Sequence, residues 1–130
     1  MLLGRYGTAS SQIRAPSPIN YLSVSLKAGA RWRYQPPDEQ TVAWAAISRG
    51  SLLAPDALQA GELAVFDEST DPIDFHAETD TEFVVGSAVK HPHDLVLGHY
   101  SVHTSAAALR EGEARIQKIR ERLRDEGRLR

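Results

Sequence analysis

At 130 residues and 14.3 kDa the chain has room for one compact domain, which excludes most multidomain enzymes. Its 42% apolar and 25% charged residues match ordinary globular proteins and exclude disordered, collagenous and coiled-coil compositions. Fifteen basic against seventeen acidic side chains give a net charge of −2, so no global basic field favours nucleic acid or an anionic membrane, and the absence of cysteine excludes disulfides, thiolate metal sites and a cysteine nucleophile.

The first residues lack a basic region followed by a long apolar stretch, and no run approaches about 18 apolar residues. A soluble cytoplasmic protein is therefore expected. Residues 1–18 read as an extended leading segment or the remnant of an interdomain linker: Gly7 to Ser11 is small and polar, and Pro16 and Pro18 keep the backbone extended. From Asn20 the pattern has period two, with Leu22, Val24 and Leu26 alternating with Tyr21, Ser23 and Ser25, as a half-buried strand requires. Gly29 punctuates; Arg31 to Gln35 alternates charge with Trp32 and Tyr34; Pro36 to Glu39 turns. Thr41 to Ile47 and Ser51 to Ala54 predict strands around a turn at Ser48-Arg49-Gly50, and Pro55-Asp56 turns again. Leu58 to Phe66 predicts a short approach, a tight bend at Gly61 and a buried strand.

Asp67 to Pro72 reads as an acidic loop. Beyond it Ile73, Phe75 and Ala77 alternate with Asp74, His76 and Glu78, and Glu82 to Val89 follows with Phe83 and Val85 facing inward. Several short strands separated by turn residues predict an all-β sandwich or barrel over residues 19–104. The last quarter changes period: Thr104 or Ser105 can cap a helix whose stripe is Leu109, Ile116, Ile119 and Leu123, with Gly127 just past its end, so a helix is expected over 105–127. Residues 105–130 carry eight basic and five acidic side chains, a net of +3 against −5 for the rest, which suits a helix lying against an acidic barrel.

Several of these stretches resemble the pirin family, and within it the C-terminal domain: Ile19 to Leu26 followed by Ala28-Gly29-Ala30, Leu58 to Phe66 with its Ala60-Gly61-Glu62-Leu63-Ala64-Val65 centre, and Gly98 to Thr104 leading into the helix. Leu3-Gly4-Arg5-Tyr6-Gly7 is similar to the family's segment between its two barrels. The resemblance implies a cupin, a double-stranded β-helix or jelly-roll-like barrel closed by a C-terminal helix. It also implies that this chain corresponds to the barrel without metal. The family's metal site and its flavonol-cleaving dioxygenase chemistry belong to the N-terminal barrel, whose ligands form a His-x-His pair and a later His-x-Glu pair. Where the first pair would fall, shortly after Gly29, the chain reads Gln35-Pro36-Pro37-Asp38-Glu39-Gln40. No catalytic, cofactor-binding or metal-binding residue is therefore carried over, and the partner implied is an N-terminal pirin-type barrel or a second copy in a homodimer.

The residues leave alternatives open. His76 and Glu78 share a strand face and His91-Pro92-His93 forms a close pair that His99 and His103 can join, a candidate set for iron, nickel, manganese or zinc in a pirin-like quercetinase. Against this, His76 and Glu78 fall on the polar face, and Pro92 puts His91 and His93 in a loop. Asp67, Glu68, Asp71, Asp74, Glu78, Asp80 and Glu82 are numerous enough for a hard cation or paired carboxylates, yet solvated loops explain them as well. Trp32, Tyr34 and Trp44 are interface or pocket candidates; Trp44 shares a strand face with Val42 and Ala46 and is expected to pack, whereas Trp32 between Arg31 and Arg33 is expected at an interface. Arg110, Arg115, Lys118, Arg120, Arg122 and Arg124 are interleaved with acids, Glu111 lying four before Arg115, which describes a solvated face rather than a nucleic-acid surface.

Overall fold

The computed structural model describes residues 1–129. The chain divides into two compact units, Met1–Lys90 and a second that starts at His91. In the first, period-two sequence becomes two antiparallel four-stranded sheets. One sheet has the order β3 (Ile19–Leu26), β10 (Thr81–Ala88), β5 (Val42–Arg49), β8 (Leu63–Val65). The other has the order β4 (Arg31–Tyr34), β9 (Ile73–Ala77), β6 (Ser51–Ala54), β7 (Asp56–Gln59). Apart from the β6–β7 hairpin, sequential strands alternate between sheets, which lets residues far apart in sequence share one core.

That core is made by the inward positions of both sheets. Leu22, Ala45, Ile47, Phe83 and Val85 come from the first sheet, and Tyr34, Leu52, Ala54 and Phe75 from the second. Phe75 and Phe83 meet across the sheets at 5.0 Å between ring centroids, and Phe66 meets Phe75 edge-on at 6.2 Å. Each large side chain fully removed from water here stabilises the fold by about 2–3 kcal/mol before entropy is charged against it. The hinge from β5 to β6 needs Gly50, whose φ is +82° and whose missing Cβ makes room for the Asp80 carbonyl oxygen.

Three expectations are corrected. The leading segment is not a free extended stretch throughout: β1 (Arg5–Tyr6) and β2 (Ala9–Ser10) form a hairpin, and Leu3 bridges to Tyr21, with the Tyr21 carbonyl accepting from the N–H groups of Leu2 (2.9 Å) and Leu3 (3.0 Å). The barrel reading of residues 19–104 runs too far. The strands β11 (Val96–Gly98) and β12 (Ser101–His103) pair only with each other and pack on the helix α1 (Ala106–Asp125), so they belong to the second unit. The strand at Leu63–Val65 is not buried; it is the edge of its sheet, with Leu63 62% and Val65 77% exposed.

Within the second unit the helix begins as its sequence requires. The Ser105 hydroxyl accepts from the Ala108 N–H at 3.1 Å, and at the other end Gly127, with φ +67°, lets its N–H reach the Arg124 carbonyl while Arg128 N–H reaches Leu123. No residue of α1 is fully buried. The hairpin turns Gly98 toward the Leu109 side chain and the His103 ring toward Gly112, leaving Leu97 (74%) and Val102 (60%) exposed on its other face.

Candidate functional site

The sequence candidates separate in space. On β9, Phe75 and Ala77 point into the core, so His76 and Asp74 point out; Glu78 is exposed just beyond the strand end. Asp74 takes a bidentate grip from Arg33, with both nitrogen–oxygen distances 2.7 Å. That guanidinium holds the Asp74 carboxyl below its usual range, and the carboxylate raises Arg33 in return. Asp80 is also held low, first by the Lys27 ammonium at 2.7 Å and then by the Ala28 N–H at 2.9 Å. Glu82 pairs with Arg49 and Glu68 with Lys90. Much of the acidic stretch is thus taken up in individual ion pairs.

His91 and His93 lie exposed, edge to face at 5.2 Å, with a His91 ring nitrogen 3.1 Å from the His93 carbonyl oxygen. His99 packs edge-on against Tyr100 at 4.2 Å, and His103 contacts the Ser101 hydroxyl at 2.9 Å. Among the described residues no group of three or more His, Asp or Glu side chains is placed to hold a metal ion.

The aromatic candidates are also redistributed. Tyr34 is neither at an interface nor on a pocket wall: at 1% exposed it is core, because its strand position turns it inward. Trp32 turns the same way but stays half-buried, stacking on Phe75 at 5.5 Å and touching Tyr34 and Phe83, while its indole N–H donates to the Tyr6 hydroxyl at 2.9 Å and its ring lines a surface groove with Tyr6, Leu22 and Val24. Trp44 does pack, but not in the core. The core face of β5 is Ala43, Ala45 and Ile47, so Trp44 lies on the outer face, against Tyr21 at 5.4 Å and over Gly86. Its ring atoms come within 2.5 Å of where a Cβ of residue 86 would stand. Val65 is the cross-strand partner of Trp44 and Leu63 that of Ala46, so an apolar outer surface runs to the sheet edge.

One feature absent from the sequence reading lies at the end of the barrel. Asn20, Tyr34, Gln40 and Ser87 are all at least 96% buried and form one hydrogen-bonded chain. The Asn20 Nδ2 donates to the Arg5 carbonyl at 2.7 Å and to the Tyr34 hydroxyl at 3.1 Å; that hydroxyl lies 2.7 Å from the Ser87 Oγ, and Ser87 donates to Gln40 Oε1 at 2.6 Å. Asn20 and Gln40 also line a cavity of about 640 Å³ together with Arg5, Arg14 and Asp38. Asn20 had a signal of its own, as a polar residue at an inward position of an apolar alternation. Gln40 and Ser87, each far from it in sequence, had none.

No family model and no curated protein sequence matches this chain. Among solved structures it is similar to a quercetin 2,3-dioxygenase from Acinetobacter baumannii, with a TM-score of 0.75 at 21% identity over 89% of this chain and 41% of that one. A second structure of a quercetin 2,3-dioxygenase from Acinetobacter baumannii aligns with a TM-score of 0.73 at 14% identity, over 90% of this chain and 39% of the other. The fold is a cupin barrel with a C-terminal helix.

The chain spans about two fifths of the length of these neighbours. A cupin metal centre needs imidazole and carboxylate groups converging from adjacent strands into the barrel. This cupin barrel fills the corresponding interior with Tyr34, Leu52, Phe75, Phe83 and Val85, and its strand histidine, His76, faces outward. The residues present do not fit such a centre.

Proposed function

We propose that this chain is a cupin barrel of the pirin C-terminal type that acts as a structural and interaction module, without a metal centre of its own, by packing on a second cupin barrel. The observation that carries this reading is the apolar edge of the first sheet. Leu63 and Val65 stand mostly exposed on β8, which pairs with β5 on one side only, and they continue into Trp44 and Ala46. An open, uncharged strand edge of this kind invites association unless a partner covers it. The likeness to proteins more than twice as long supplies the candidate: a second barrel, from another copy of this chain or from a metal-binding pirin-type barrel.

The test is solution mass by light scattering, alone and mixed with an N-terminal pirin-type barrel. We expect either twice the 14.3 kDa chain mass or a one-to-one complex. Leu63→Lys with Val65→Lys is expected to abolish it while changing stability by no more than about 0.5 kcal/mol, because both side chains are already in water. A strict monomer at high concentration that ignores the other barrel would overturn the reading.

A second reading, a metal-dependent dioxygenase, draws on the printed activity of the structural neighbours. It requires about one iron, nickel, manganese or zinc per chain in untagged protein and quercetin turnover lost in His76→Ala. Elemental mass spectrometry decides between the two, since the interaction module carries no stoichiometric metal.

A further inference from the structure

The buried polar chain at the barrel end has a direction, and that direction fixes the chemistry of the cavity beside it. Asn20 sets it. Its side-chain amide is held by both backbone groups of Arg5: the Arg5 N–H, which can only donate, faces Oδ1 at 2.9 Å, and the Arg5 carbonyl, which can only accept, faces Nδ2 at 2.7 Å. The second hydrogen on Nδ2 therefore goes to the Tyr34 hydroxyl. Having accepted there, Tyr34 gives its own hydrogen to Ser87, and Ser87 gives its hydrogen to Gln40, whose facing atom must be the acceptor Oε1. The Gln40 amide nitrogen is left as the end of the chain. Among the described residues it has no hydrogen-bond partner and it is not sealed from water, although the residue is only 4% exposed, and Gln40 is on the cavity wall. Reversing Gln40 to present an oxygen instead would turn its nitrogen on Ser87 and leave the Ser87 hydroxyl hydrogen without an acceptor.

The cavity wall thus includes a residue whose free group is a donor, its orientation set by the polar chain. Arg5 and Arg14 line the same space and make no ion pair among the described residues, against a single carboxylate, Asp38. Ile13 and Pro16 give the wall an apolar part. We infer that this cavity is a binding site for a small organic carboxylate with an apolar body, its oxygens accepting from Gln40 Nε2 and the two guanidinium groups. The volume of about 640 Å³ lies in the range of small-molecule sites. The lining includes no histidine and no residue of the β8 edge, so the proposal stands or falls independently of barrel packing.

The experiment uses the full chain, labelled with nitrogen-15, and titrates benzoate while following backbone and side-chain amide signals. We expect saturable shifts at the Gln40 side-chain amide and at residues 5 and 14, with a dissociation constant of about 1 mM or tighter. Benzamide, which has the same body without the charge, is expected to bind at least about tenfold more weakly. Gln40→Glu keeps an acceptor for Ser87 while replacing the donor by a repelling oxygen, and Arg14→Glu alters an exposed residue; each is expected to weaken benzoate at least about tenfold with an otherwise unchanged spectrum. The variant at residue 14 keeps the test decisive should the substitution at residue 40 disturb folding. Inorganic phosphate binding in place of benzoate would overturn the organic-acid assignment. Absence of saturable benzoate binding to about 10 mM, or binding indifferent to both substitutions, would overturn the site.

Discussion

Gly50 and Gly86 both stand where a Cβ has no room, yet they resist substitution for different reasons. At Gly50 the obstacle includes a backbone oxygen, that of Asp80, and φ is +82°, so neither the neighbour nor the residue can give way cheaply. Gly50→Ala is expected to cost about 2 kcal/mol or more, measured from urea unfolding midpoints. At Gly86 the obstacle is the Trp44 ring, a side chain on an outer face with room to tilt, and Gly86→Ala is expected to cost nearer 1 kcal/mol in the same assay. Asp80, like Asp74, contributes to acid behaviour. Its carboxyl is held below the ordinary value of 3.8 by Lys27 first and the Ala28 N–H second, so the folded chain takes up that proton less readily than the unfolded one. The stabilisation is complete above the ordinary value and disappears as pH falls through it toward the folded value. Unfolding midpoints of Asp80→Asn are therefore expected to fall less steeply below about pH 4 than those of the parent protein, and to lie beneath them at neutral pH.

At the scale of single elements, the sequence was most legible where period and chemistry agreed. Ile19 to Leu26 alternates and forms β3; Ser105 caps α1 and Gly127 closes it, as their residue types demand. Ser105→Ala is expected to lower helix stability by about 1 kcal/mol, visible as reduced far-UV ellipticity and earlier fraying of the first turn. Legibility failed where both faces of a strand are apolar. In β5 the sets Val42, Trp44, Ala46 and Ala43, Ala45, Ile47 are equally acceptable to a core, and only the neighbouring strands decide that the second set goes inside. For the same reason Leu63-Ala64-Val65 reads as buried, although its place at the end of the strand order puts it in water. Hydrophobicity records what a residue tolerates, and position in the sheet is a property of the whole chain.

For the molecule as a whole, the barrel was legible and the polar chain at its end was not. Turn residues at short intervals announce many strands, whereas Asn20, Tyr34, Gln40 and Ser87 meet only after β3, β4 and β10 have been assigned to their sheets. The division into two units carries its own prediction. Amide hydrogens of β3, β10 and β5, paired on both sides or closed over the core, are expected to exchange most slowly, and those of α1, which buries no residue fully, orders of magnitude faster. Hydrogen exchange read by mass spectrometry would show equal protection if the units opened together. No helix among the described residues is long and apolar enough to cross a membrane. Finally, the two tryptophans lie on different sheets: Trp32 is wedged among Phe75, Tyr34 and Phe83, and Trp44 rests on the outer face beside Tyr21. Each sheet thus carries its own fluorophore. In Trp32→Phe, emission follows events on the outer surface, including any contact at Val65; in Trp44→Phe, it follows the packing of the interior, so surface association and core loosening can be followed separately, one in each variant.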